Sequence, residues 1–172
     1  FIKNNIKLND KIIILNTGCG PVYPHKKWTY DGYKNLIKQL LKNKNFKIIL
    51  TGSKSEEVRN KSLHDEYLSP NLINTTSKYS IENFCYLVSV SNLVVTGDTM
   101  ALHLAISLNK KIITFFGSTP HQETNLFGLG KKFVRTELDC LGCHDQFECP
   151  YNGKCMSLID SNDIYLQIKK LI

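Results

Sequence analysis

Residues 11–21 read Lys11-Ile12-Ile13-Ile14-Leu15-Asn16-Thr17-Gly18-Cys19-Gly20-Pro21, and the fold follows from how that run divides. Lys11 to Asn16 is a short apolar, β-branched stretch with polar residues only at its ends. A strand with one wet face alternates apolar and polar residues. A continuous apolar run instead marks a strand buried on both faces, the habit of a parallel sheet covered by helices. Thr17 to Pro21 then carries the glycines and proline of a loop.

The same unit recurs along the chain. After the first loop, Tyr30, Tyr33, Leu36, Ile37, Leu40 and Leu41 recur at helical spacing with Lys34, Lys38 and Lys42 opposite them. Thr29 is the N-cap, and Asp31 suits the positive end of that helix. Phe46 to Thr51 is a second strand closed by Gly52. Ser53 and Glu56 have capping-box spacing for a helix through about Leu68, mostly exposed because its apolar face is weak. Asn71 to Asn74 is a third strand. Ser80 caps a helix with Ile81, Phe84, Cys85 and Val88 on one side. Leu93 to Thr96 is a fourth strand, Gly97-Asp98 a turn, and Thr99 to Leu108 a compact helix. Lys111 to Phe116 is a fifth strand ended by Gly117. A long loop with four cysteines follows, and Ser161 starts a last helix with Ile164, Ile168 and Leu171 facing inward. Strands alternating with helices make this an α/β chain with a Rossmann-like, doubly wound parallel sheet. Ligands of such sheets bind beyond the carboxyl ends of the strands, here the loops after Asn16, Thr51, Asn74, Thr96 and Phe116.

Length and composition bound the function. The 172 residues suit one domain with a full-sized core, at 42% hydrophobic and 22% charged. No run of about 18 apolar residues offers a membrane span. Phe1 to Asn5 lack the basic-then-apolar pattern of a signal peptide. Without a leading Met, the chain reads as a piece of a longer protein, with residues 1–10 a linker remnant and residues 11–172 the domain. The absence of a secretion signal sets the expectation of a cytoplasmic location with reduced thiols. Net charge is +7. Such a surface attracts phosphates, nucleic acid or anionic lipid, and is equally read as a solvated lysine-rich surface. No dense block of like charges marks a nucleic-acid-binding tail.

Two common nucleotide motifs are missing. The first loop offers Gly18-Cys19-Gly20 and then Tyr23 where a dinucleotide fingerprint needs a third glycine. Gly52-Ser53-Lys54-Ser55 has the wrong order for a P-loop, and Lys47 stands where its first glycine belongs. Gly97-Asp98-Thr99-Met100-Ala101-Leu102-His103 is more informative. A helix opening at Thr99 presents amide groups and a partial positive charge to an anion such as a diphosphate, and His103 lies one turn further on. The competing reading makes Asp98 or Thr99 a simple cap and His103 a core residue. Lys26 and Lys27 before Trp28 supply mobile positive charge, or are a surface pair beside an anchoring tryptophan.

Asn16-Thr17-Gly18, Lys26-Lys27-Trp28, Thr51-Gly52-Ser53 with Glu56-Glu57, Val95-Thr96-Gly97-Asp98-Thr99, His103-Leu104-Ala105 and Phe116-Gly117-Ser118-Thr119 stand in the order found in the bacterial heptosyltransferase family, which the chain resembles from Lys11 to Ile172. The resemblance implies the C-terminal half of a GT-B glycosyltransferase that transfers heptose from ADP-heptose to lipopolysaccharide core. It implies that Thr17, Gly18 and Lys26 hold phosphate oxygens, with Gly52 in the same donor site. Glu56 or Glu57 approaches the nucleoside, Asp98 the sugar hydroxyls, and Thr99, Met100 and His103 the diphosphate. It places the catalytic base in an N-terminal domain absent here, so the piece alone binds donor without transferring sugar. The acceptor, a glycan or lipid, is reached through that domain, at the inner face of the inner membrane. The family has glycine where this chain has Met100, whose side chain crowds the site and disfavours positive φ. No D-x-D pair is present to hold a cation, so no cofactor is required for transfer and protein cations serve instead.

Cys140, Cys143, Cys149 and Cys155 follow the pattern C-x2-C-x5-C-x5-C and are candidates for a structural zinc, with an iron–sulfur cluster, two disulfides or free thiols as the alternatives. Two further readings stay open on the sequence: a nucleotide-sugar epimerase domain, and a basic, cysteine-stapled nucleic-acid-binding module. The second lacks a recognition surface, so no nucleic-acid partner is expected.

Overall fold

The computed structural model describes residues 6–7, 9–20, 24–144, 149 and 151–172. Lys11–Asn16 forms strand β1, and Phe46–Thr51 (β2), Leu72–Asn74 (β3), Leu93–Gly97 (β4), Lys111–Phe116 (β5) and Gly130–Val134 (β6) complete one parallel sheet in the order β3-β2-β1-β4-β5-β6. The helices are Tyr30–Leu40 (α1), Glu57–Tyr67 (α2), Ile81–Val90 (α3), Met100–Ser107 (α4), Lys154–Ser157 (α5) and Ser161–Leu171 (α6). The chain winds outward from β1 to β3, then crosses back through α3 and winds the other way from β4. The reversal opens a crevice between the carboxyl ends of β1 and β4, which pair with Asn16 opposite Thr96.

Both sheet faces are dry, as the apolar runs require. Ile13, Leu15, Ile48, Leu50, Val95 and Phe115 point into one core with α1 and α6. Ile12, Ile14, Ile49, Val94, Ile112 and Phe116 point into the other, beneath Leu87 and Val88 of α3 and Leu102 and Ala105 of α4. Trp28 anchors the first core at 1% exposure. Its ring centroid lies 4.9 Å from that of Tyr33 and 4.8 Å from that of Phe115, and its Nε1 donates to the Ile159 carbonyl at 3.2 Å. A Cβ at Gly32 would lie 2.4 Å from the indole, so this position of α1 has room only for glycine. Thr29 caps α1 by accepting from the Gly32 amide at 3.0 Å.

The structure adds to or amends several expectations. β6 was hidden in the long loop because Gly130-Lys131-Lys132-Phe133-Val134 is half polar; as an edge strand it is only partly buried. α5 packs Cys155 and Met156 inward from the same loop. The α3 stripe is rotated: Val88 is buried together with Leu87, whereas Ile81 is 48% exposed. Asp160 caps the last helix by accepting from the Asn162 amide at 2.7 Å. Within the expected linker, Ile6 packs against the α3 and α4 side of the core.

Trp28→Ala is expected to lower unfolding free energy by about 3–5 kcal/mol, the range for emptying a large aromatic site. Trp28→Phe, which loses the indole hydrogen bond, is expected to cost roughly 1 kcal/mol in addition to its packing change. Urea unfolding followed by circular dichroism measures both; a Trp28→Phe loss as large as the Trp28→Ala loss would contradict the packing account.

Candidate functional site

Beyond the carboxyl ends of β1, β2 and β4 lies a cavity of about 430 Å³. Gly18 and Gly52 come from the loops after β1 and β2, Glu56 from the turn before α2, and Thr99, Met100 and Ala101 from the start of α4. Tyr79, Ile81, Phe84 and Met100 supply an apolar wall. α4 points its N-terminus at the cavity because Thr99 is extended (φ −146°, ψ 173°) and its hydroxyl accepts from the Ala101 amide at 3.2 Å. This is the arrangement in which a helix start receives an anion.

Glu56 lies beneath one side of the cavity at 1% exposure. Its carboxylate accepts from the Ser53 amide at 2.9 Å, the Ser53 hydroxyl at 2.8 Å and the Ser55 hydroxyl at 2.7 Å, and pairs with Lys27 at 2.9 Å. Burial pushes its pKa up, but the hydrogen bonds from Ser55, Lys27 and Ser53 and the Lys27 charge outweigh it and hold the carboxyl below its ordinary value. A Cβ on Gly18 would lie 2.5 Å from a Glu56 oxygen, and one on Gly52 2.9 Å from the Glu56 Cβ. Both glycines therefore let the loops close over a buried carboxylate.

Beside the Thr99 cap, Asp98 holds one basic group on each oxygen. Lys26 Nζ lies 3.0 Å from Oδ2, and His103 Nε2 lies 3.7 Å from Oδ1. His103 is 63% exposed at the rim, so it is not a core residue. Lys26 and Asp98 side chains are only 14% and 19% exposed.

The expected site residues are therefore not all alike. Gly18, Gly52, Glu56, Thr99 and Met100 line one cavity, and Lys26, Asp98 and His103 form a cluster at the start of α4. Thr17 turns away: it is 1% exposed and its hydroxyl donates to Asn60 Oδ1 at 2.7 Å. Glu57 is exposed at the start of α2 and is not among the lining residues. Met100 is the first residue of α4 and is not among the positive-φ residues, so the anticipated conflict with its backbone does not arise. Its side chain, 58% exposed, forms part of the apolar wall.

Sequence reasoning missed Asn16, Tyr79, the role of Ile81 and Phe84, and the pairing of Lys27 with Glu56. No sequence signal separated Ile81 from the core stripe of α3, and Phe84 serves both, packing against the core while lining the cavity. The pairings depend on which strands become neighbours.

The cysteine segment is pinned to the end of β5, where the Gly142 amide donates to the Gly117 carbonyl at 2.8 Å and the His144 amide to the Ser118 carbonyl at 2.7 Å. Cys155 is buried against Gly117, and Cys143 is exposed. Burial, then the neighbouring Cys149, Cys140 and Cys143, push the Cys155 thiol up. Among the described residues no three His, Cys, Asp or Glu side chains are placed to hold a metal ion. No described helix is long and apolar enough to cross a membrane.

Comparison with known proteins agrees with this fold. The family model for glycosyltransferase family 9 (heptosyltransferase) matches residues 2–152. Lipooligosaccharide heptosyltransferase 2 of Campylobacter jejuni subsp. jejuni serotype O:6 is 24% identical over 170 residues, covering 96% of this chain and 53% of that protein. Two solved structures share the fold. The Escherichia coli ADP-heptose lipopolysaccharide heptosyltransferase II superposes with a TM-score of 0.77 at 16% identity, over 96% of this chain and 47% of that one. The E. coli heptosyltransferase WaaC with ADP-2-deoxy-2-fluoro heptose gives 0.69 at 20% identity, over 98% and 46%. The chain thus spans about half the length of these relatives. Neither the epimerase reading nor the nucleic-acid module is supported by these matches.

The Glu56 environment generates a pH prediction. Because the folded carboxyl sits below its unfolded value of about 4.5, its stabilising contribution is complete above pH 4.5 and is lost as pH falls through the lower folded value. Wild type is therefore expected to exceed Glu56→Gln in stability at pH 7, with the gap narrowing below pH 4.5. Urea midpoints at both pH values measure this, and a pH-independent gap would contradict it.

Proposed function

The chain belongs to glycosyltransferase family 9, the heptosyltransferases, and from that premise we propose that it is the donor-binding half of a two-domain GT-B enzyme. The reaction is transfer of heptose or a related sugar from a nucleoside diphosphate donor, such as ADP-heptose, to lipopolysaccharide or a similar cell-surface glycan. One observation carries the reading: an α4 N-terminus, a lysine and an imidazole gather beside a cavity at the switch point of the sheet.

In such a transfer the bond from the sugar anomeric carbon to the diphosphate oxygen breaks as a bond from the acceptor oxygen forms. The acceptor proton goes to a base, which this reading assigns to the N-terminal half. This half acts on the leaving group. Negative charge grows on the departing diphosphate, and Lys26, His103 and the amides opening α4 lie where they stabilise it. An ammonium carries three N–H donors, so contact with Asp98 and with a phosphate oxygen are compatible. The carboxylate of Glu56, buried beneath the far side of the cavity with its oxygens already hydrogen-bonded, repels phosphate there and leaves that side to the nucleoside. The apolar wall of Tyr79, Ile81, Phe84 and Met100 suits the flat nucleobase. Since Lys26 and the α4 amides supply the positive charge, the reading needs no metal for transfer. It places the enzyme on the cytoplasmic side of the inner membrane, where its lipid-linked acceptor is built.

Calorimetric titration of the full-length protein tests the proposal. ADP-heptose is expected to bind more tightly than UDP-sugars or oligonucleotides. Lys26→Ala is expected to weaken that binding by about tenfold or more, the size of a lost charge-assisted contact, and His103→Ala to weaken it less. Donor affinity unchanged in Lys26→Ala, or tighter binding of oligonucleotides, would overturn the reading.

A further inference from the structure

Asn16 ends β1 at the point where the strand order reverses, and its side chain bridges elements far apart in sequence. Its Nδ2 donates to Thr96 Oγ1 at 3.2 Å and to Thr99 Oγ1 at 3.3 Å. Its Oδ1 accepts from Thr51 Oγ1 at 3.2 Å. The Thr96 and Thr99 hydroxyls lie 3.0 Å apart, and Thr99 Oγ1 also accepts from the Ala101 amide. One primary amide therefore joins the ends of β1, β2 and β4 to the cap of α4. Asn16 is 8% exposed and Thr96 fully buried.

The donor inventory explains why asparagine fits here. A primary amide offers two N–H groups and a carbonyl on one rigid plane. The two N–H groups serve the Thr96 and Thr99 hydroxyl oxygens across the crevice, with the Gly18 carbonyl a longer third contact of Nδ2 at 3.4 Å, and the amide carbonyl serves the Thr51 hydroxyl on the opposite side. Aspartate would offer no N–H and would add negative charge beside the cavity. Alanine would leave three hydroxyls and the Thr99 rotamer without a common partner. The backbone is held separately, since the Asn16 carbonyl accepts from the buried Tyr33 hydroxyl at 2.9 Å.

We propose that Asn16 is a positioning residue for donor binding: through Thr99 it sets where the N-terminus of α4, and Asp98 just before it, stand relative to β1. This inference rests on the donor-binding reading. It assigns Asn16 no contact with the reacting atoms. Catalytic geometry tolerates small displacements poorly, so a tether one residue from the anion-receiving amides bears directly on affinity.

A double-mutant cycle on the full-length protein tests it, with ADP-heptose as the titrant and melting temperature recorded for every variant. Asn16→Ala and Thr99→Ala are each expected to raise the donor Kd by about tenfold, the upper size of one lost hydrogen bond. The double variant is expected to be no weaker than the worse single, because both remove the same linkage. Thr96→Val is expected to raise Kd by about threefold, although its side chain lies outside the cavity lining, and it decides the question if Asn16→Ala does not fold. Independent losses that multiply toward a hundredfold, a lower melting temperature with unchanged Kd, or a silent Thr96→Val would overturn the inference and leave the donor reading standing. Wild-type protein that binds no ADP-heptose would remove both.

Discussion

A parallel sheet that reverses its winding direction must leave two neighbouring carboxyl ends with their loops turned apart, and here those ends belong to β1 and β4. Everything of interest in this chain is arranged around that gap. Asn16 and Thr96 face each other across it in register. The start of α4 leans into it, and the loops after β1 and β2 form its other wall. The two dry cores on either side hold this rim in place. Trp28 and Tyr33 are part of that support, since Tyr33 spans from α1 to the last residue of β1.

Charge is sorted within the gap. Each of two carboxylates has its own lysine: Glu56 with Lys27, deep and heavily hydrogen-bonded, and Asp98 with Lys26, at the mouth of α4. The first pair is closed off by Gly18 and Gly52, which approach too closely to carry side chains. The second pair stands with His103 at a helix start and keeps basic groups near a position suited to an anion. A ligand with hydroxyls at one end and a diphosphate at the other matches this polarity. A pocket lined evenly with lysines would attract any polyanion.

How much of this was legible follows from what kind of information each feature needs. The first five strands and their helices were readable because runs such as Lys11 to Asn16 and Lys111 to Phe116 are predominantly apolar and β-branched, and because Thr29, Ser53, Ser80 and Thr99 are capping residues at the right distance from them. β6 escaped because an edge strand can afford lysines on a half-covered surface. The site was legible where one loop supplies several members, as Gly97 to His103 does. It was illegible where the partner comes from another element. Thr17 looks like a phosphate ligand in one dimension, yet in three it faces Asn60 of α2. Ile81 looks like core, yet a rotated α3 places it on the cavity wall, while Phe84 both packs against the core and lines the cavity. Glu57 and Glu56 are neighbours in sequence, but the capping box buries one and leaves the other in solvent.

The central physical claim is that a diphosphate settles at the N-terminus of α4, over the gap between β1 and β4. A crystal structure of the full-length protein with ADP bound measures this directly. The account predicts phosphate oxygens about 3 Å from the backbone amides of Thr99 and Met100 and within reach of Lys26 Nζ, at ordinary hydrogen-bond distances. ADP phosphates seated elsewhere, with the Lys26 to Asp98 pair undisturbed and the α4 amides bonded only to water, would contradict it.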